Sequence, residues 1–223
     1  VLLSLSHPVL SAAADVRAPS RIDAVTVYRS SARVTRAAKL DLADALMTLG
    51  RVHEKLRDGS AGKRVVEEAL DLRRRALGPD HPDVARAEDL LGLLCNVDGE
   101  YERALELERH AAAVLERELG PVHADVGEAL AHVANTLSDL RRYDEALRSF
   151  RRAIAILERA RGADHPLTAA VTFNMANSAR NVGDTETAEQ LYRASLERIE
   201  AVYGADHPNV GVVMNNFANL LRE

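Results

Sequence analysis

The chain of 223 residues has no tryptophan, aromatic side chains make up 4% of it, and it carries a single cysteine. So few rings leave few anchors for a large β core, and the abundance of Ala, Leu, Arg and Glu suits helices instead. One thiol excludes an internal disulfide. Cys95 lies among apolar neighbours in LLGLLCNV and reads as a small buried hydrophobe. There is no CxxC, no HExxH, no glycine-rich phosphate loop and no nucleophile-elbow serine, so the sequence reads as non-enzymatic, with no metal site and no cofactor. Acidic and basic residues are interleaved around a net charge of −5, without a basic stripe to track phosphates, and nucleic acid is not expected as a partner.

What the chain does have is a phrase that returns. It reads GPDHPDV from Gly78, GPVHADV from Gly120, GADHPLT from Gly162 and GADHPNV from Gly204, always 42 residues apart. A fixed period of this size marks a stacked repeat, in which no single unit can bury its own apolar face. The phrase is suited to end one helix and start the next. Gly78 is expected in the left-handed conformation, Asp80 or His81 can cap, and Pro82 fits the first helical position. The recurring His81, His123, His165 and His207 do not suggest a metal site, because a helix pair separates each from the next. That places them on the order of 10–20 Å apart, against the ~2 Å that zinc requires of its ligands.

Between phrases the pattern is a helical hairpin. In the second unit a first helix buries Val84, Leu90, Leu91, Leu94 and Cys95 on one face, and a second, from Glu100 to Leu119, turns Tyr101, Ala104, Leu105, Ala111, Ala112, Leu115 and Leu119 inward. The small column Gly92, Ala134, Ala176 and Ala218 faces the small column Ala104, Ala146 and Ala188, allowing close helix approach. The units are 37–77, 78–119, 120–161, 162–203 and a partial 204–223. The first lacks the phrase, and its glycine-rich Asp58-to-Gly62 turn predicts a second helix that starts late or frays. All three lysines, at 39, 55 and 63, fall in this unit, as a solvated capping surface would have them. In the last unit Val213, Phe217, Leu220 and Leu221 are expected to lack a partner helix, which would permit self-association or call for a further repeat.

Ahead of the array, residues 1–20 form an apolar leader that ends in Ala12-Ala13-Ala14 before Asp15, like the tail of an export signal. It is too short to span a bilayer, and no membrane insertion of the array is expected. Residues 21–36 alternate apolar and polar around Arg29-Ser30-Ser31 and predict a β-hairpin. The wording Val-Thr-Val-Tyr followed by Ala-Arg-Val-Thr-Arg resembles the opening of the mucoidy-inhibitor-A-type proteins, which are exported. Together these features favour an exported, periplasmic location over the cytoplasm.

The small columns, Gly99 and Gly183 between the helices, and Tyr101 or Tyr143 followed three residues later by Ala resemble tetratricopeptide repeats of the 42-residue kinesin-light-chain type. The resemblance implies an all-α fold, a right-handed superhelical solenoid of antiparallel helix hairpins. Its concave face, lined by the first helix of each hairpin, would hold a peptide or protein segment. On that face stand two columns three residues apart, His132, Asn174 and Asn216, and Asn135, Asn177 and Asn219. Amides both donate and accept, as an extended peptide backbone requires. Pairing between neighbouring helices would satisfy them equally well. Phe173 and Asn215 are further candidates on this face, whereas Met175 reads as core. Asp89, Ala131, Phe173 and Asn215, with Arg86 alone basic nearby, do not make a basic clamp for a terminal carboxylate. The expected function is a protein-interaction scaffold binding an extended segment. The alternatives are a regulatory segment of a larger bacterial signalling enzyme and a self-associating scaffold.

Overall fold

The computed structural model describes residues 35–222. Among them stand nine helices and no strand: α1 (Arg36–Lys55), α2 (Gly59–Leu77), α3 (Pro82–Val97), α4 (Tyr101–Leu119), α5 (Ala124–Asp139), α6 (Tyr143–Arg161), α7 (Pro166–Asn181), α8 (Thr185–Tyr203) and α9 (Pro208–Leu220). The leader and residues 21–34 of the expected hairpin lie outside the described residues. Its last two residues belong to the start of α1 instead: Thr35 is the N-cap, accepting the Ala38 N–H, and Arg36 begins the helix.

Consecutive helices pack in pairs, and each odd-numbered helix also touches the next odd one, from α1 on α3 to α7 on α9. The even-numbered helices form no comparable row, so the odd helices are the inner, concave layer of a curved solenoid. Ala134, Ala146, Ala176 and Ala188 are fully buried where the two layers cross. At Gly92 a Cβ would stand 2.7 Å from Glu108 Cγ and 3.2 Å from the Ala104 carbonyl, so this crossing has no room for a side chain. On the outer layer, ion pairs about one period apart tie neighbouring units: Arg103 to Glu67 at 3.1 Å, Arg109 to Glu145 at 3.0 Å and Arg198 to Glu158 at 2.7 Å.

The repeated phrase is punctuation between hairpins. His81, His123, His165 and His207 are N-caps whose Nδ1 accepts the backbone N–H two residues on, at 3.1, 3.2, 3.2 and 3.2 Å. The glycines differ from expectation. Gly78, Gly120, Gly162 and Gly204 have φ of 91, 88, 95 and 83° with ψ near 157°, an extended conformation at positive φ rather than the left-handed helical one. Only glycine occupies that region readily. A Cβ there would meet nothing within 4 Å, so the torsion rather than crowding selects the residue.

The first unit is more regular than expected. Helix α2 starts in register at Gly59, and Asp58 caps it by accepting the Ala61 N–H at 3.1 Å. Its glycines are there for proximity: a Cβ would come 2.1 Å from Asp98 Oδ1 at Gly59 and 2.4 Å from Leu94 Cδ2 at Gly62. Lys63 is no solvated cap either, since its ammonium binds Asp98 at 2.7 Å and Glu100 at 2.5 Å in the next hairpin. At the other end Val213 and Leu220 are buried after all, at 1% and 3% exposure, and Phe217 stacks on Tyr192 with centroids 5.8 Å apart. The open face of the last helix and its cap carries Gly211, Met214, Ala218 and Leu221 instead. Their counterparts 42 and 84 residues earlier are covered by the second helix of the hairpin.

Candidate functional site

The inner face of α5, α7 and α9 carries the amide columns, and the structure joins them into a ladder. Asn174 Nδ2 donates to Asn135 Oδ1 at 3.0 Å, and Asn216 Nδ2 donates to Asn177 Oδ1 at 3.4 Å. The Tyr192 hydroxyl donates to the same Asn177 oxygen at 2.6 Å. These bonds fix which way each amide points. Asn135 and Asn177 keep an Nδ2 donor, and Asn174 and Asn216 keep an Oδ1 acceptor, none with a partner among the described residues. All four are half-buried, as is Asn219, while Asn215 is exposed. Phe173 is half-buried with its ring 6.0 Å from that of Tyr192, and Met175 is core. His132 stands apart from the ladder, its Nδ1 2.9 Å from Asp89.

Toward the first units the inner face opens into a cleft of about 650 Å³ between α1, α3 and α5, and its walls are charged. Most of these charges are already paired. Arg86 bridges Asp83 at 2.6 Å and Asp125 at 2.7 Å, and Arg161 reaches Glu128 at 3.3 Å. Burial alone would lower the His132 pKa, but Asp89, with Glu108 and Glu128 behind it, raises it to about 9. His132 is therefore an imidazolium at neutral pH. Arg51, Glu54 and Lys55 of α1 form the rim.

Beneath this cleft lies a group that the linear reading passed over. Glu108 is fully buried at a position where the other units place Val66, Phe150 and Tyr192. The Thr136 hydroxyl donates to its Oε1 at 3.0 Å and itself accepts from Asn96 Nδ2 at 3.1 Å, while Oε2 has no partner among the described residues. Burial pushes the carboxyl up to about 8, so it holds its proton at neutral pH. A column-by-column alignment at period 42 would have exposed it, as the one acid in an apolar column.

Cys95 is buried and desolvation pushes its thiol up to about 11, which leaves it unreactive. Among the described residues no group of three or more His, Cys, Asp or Glu is placed to hold a metal ion, and no helix is long and apolar enough to cross a membrane.

The model of the tetratricopeptide repeat family matches residues 41–117, 125–180 and 168–223. The chain belongs to this family. Tetratricopeptide repeats mediate protein–protein interactions, and the array is of that kind. Solved structures share the solenoid. BtubC (BKLC) from P. vanneervenii has a TM-score of 0.77 at 17% identity, over 90% of this chain and 80% of its own. A Podosopora anserina kinesin light chain with nearly identical TPR-like repeats has a TM-score of 0.68 at 16% identity, over 80% of this chain and 85% of its own. Aspartyl phosphate phosphatase F from Bacillus subtilis has a TM-score of 0.67 at 14% identity, over 82% of this chain and 45% of its own. No curated protein matches the chain in sequence. The resemblance to mucoidy-inhibitor-type proteins found no support in these comparisons.

Proposed function

We propose that the array is a non-catalytic scaffold that binds an extended peptide or protein segment along its inner face, gripping the segment's backbone with the amide ladder. The observation that carries this reading is the fixed polarity of the ladder. Asn135 and Asn177 present donors, Asn174 and Asn216 present acceptors, and an extended backbone offers the complementary C=O and N–H groups. Such groups must be paired when they leave water. Asn215 and Asn219 extend the same surface on α9, Phe173 supplies an apolar contact, and His132, paired with Asp89, stands beyond the ladder at the charged end of the same face.

A pulldown with the array as bait tests this, repeated with Asn135, Asn177 and Asn219 all changed to Ala. Because Asn135 and Asn177 also tie helices together, the variant Asn215→Ala/Asn219→Ala is run beside it, leaving both ladder bonds intact. Loss of partners in both variants, with helical content unchanged by circular dichroism, supports the groove. Retention of every partner in both rejects it.

A second reading, self-association, rests on the open stripe of α9, where Met214 is 53% and Leu221 62% exposed. Sedimentation equilibrium should then show a dimer that Met214→Glu dissociates. A monomer at all concentrations removes this reading.

A further inference from the structure

The inner face changes character half-way along. Its charged walls belong to α1, α3 and α5, whereas α7 contains no acidic residue and only Arg180, near its end, and α9 contains no charged residue at all. By the 42-residue register, Ala170 and Phe173 on α7 and Val212 and Asn215 on α9 occupy the positions at which Arg86 and Asp89, and Glu128 after them, line the cleft. Val212 is 53% exposed and Phe173 half-buried, so these side chains are presented rather than hidden. The amides of this half satisfy a backbone but offer no counter-charge to a side chain.

We infer that the part of the groove formed by α7 and α9 takes an uncharged stretch of the bound segment, and that charged side chains of the ligand are confined to the part formed by α1, α3 and α5. The inference rests on the groove reading above and names the chemistry of its occupant. An ionised side chain laid over α7 and α9 loses water and, away from Arg180 in the last turn of α7, meets no ion from these two helices in return, which discriminates against it without any added attraction for the correct residue. At the other half Arg51, Glu54 and Lys55 stand at the rim without ion pairs among the described residues, so a charge there keeps both solvent and partners.

The test uses the whole chain and a displayed library of random dodecapeptides. Selected peptides should contain a run of four or more uncharged residues. In a scan of one fluorescein-labelled binder, Asp or Lys placed within that run should weaken binding at least tenfold, and the same change at the other end less than threefold. Val212→Glu should restore binding of the peptide carrying Lys in the run, which places the run on α9. A scan in which charge costs the same everywhere overturns the inference, as does failure of the Val212→Glu rescue. The groove reading survives either result if Asn215→Ala/Asn219→Ala still abolishes binding. A library that yields no binder, or binders indifferent to the asparagine variants, overturns both.

Discussion

Two arginines hold backbone torsions that other units assign to glycine. Arg57 and Arg141 have φ of 55° and 59°, at the position where Gly99 and Gly183 have 80° and 81°. A side chain in this region costs roughly 1–2 kcal/mol, partly offset because glycine loses more freedom on folding. Arg141→Gly should therefore raise stability by about 0.5 kcal/mol, read as a higher urea midpoint with an unchanged slope. Gly92→Ala should do the opposite. Its methyl would collide with the Glu108 stem, and overpacking of this kind costs about 1–3 kcal/mol. At this scale the sequence was readable where the cause is local. A histidine before proline at a helix start caps with its own ring, and nothing distant decides that. The torsion of Gly78 and the crowding at Gly59 and Gly62 were not readable, because one depends on how the loop lies over its neighbour and the other on side chains such as Asp98 and Leu94 in the next hairpin.

Among the elements, the junction of α4 with α5 is where pH should act. The Glu108 carboxyl rises from 4.5 to about 8 through burial, so the folded chain keeps a proton that the unfolded chain releases. Stability from this group is complete below about pH 4.5 and is lost as pH rises to 8. His132, which burial alone would lower but Asp89 carries from 6.5 to about 9, adds stability that is complete below 6.5 and lost as pH rises through 9. Both act in one direction, each by at most about 1.4 kcal/mol per pH unit. The urea midpoint should fall between about pH 5 and pH 9, and Glu108→Gln should flatten the part of that fall below about pH 8. The lowered carboxyls of Glu100, Glu145 and Asp184 act in the opposite sense, losing stability only as the solution becomes acidic. Helix α7 offers a simpler measurement. His165→Ala removes its cap and should cost about 1 kcal/mol, and His165→Asn should recover most of it, both read from urea midpoints.

For the whole molecule, the period of 42 was enough to give a stacked repeat of helical hairpins, and the resemblance to tetratricopeptide repeats implied the solenoid with its inner and outer layers. The charges of the groove were harder to read. Arg86 and Asp125 are adjacent only because one hairpin stacks on the next, and Asn174 finds Asn135 in the same way, so a list of columns names the participants without saying which bonds they have already made. Stacking also grades stability along the array. Among the described residues α9 packs against α8 and α7, so in this chain its amides should exchange with deuterium faster than those of α5, which is enclosed by α3, α4, α6 and α7. The shared register has a further consequence for the gene. Deleting the 42 codons for Gly120–Arg161 would join Leu119 to Gly162 and bring Ser178 to the place of Thr136, so that Glu108 again meets a hydroxyl, and Asn177 to the place of Asn135. That chain, one hairpin shorter, should keep its stacking and show a lower but still cooperative melt. A lineage carrying this gene can thus lengthen or shorten its groove by unequal recombination in whole periods, without first inventing a new core.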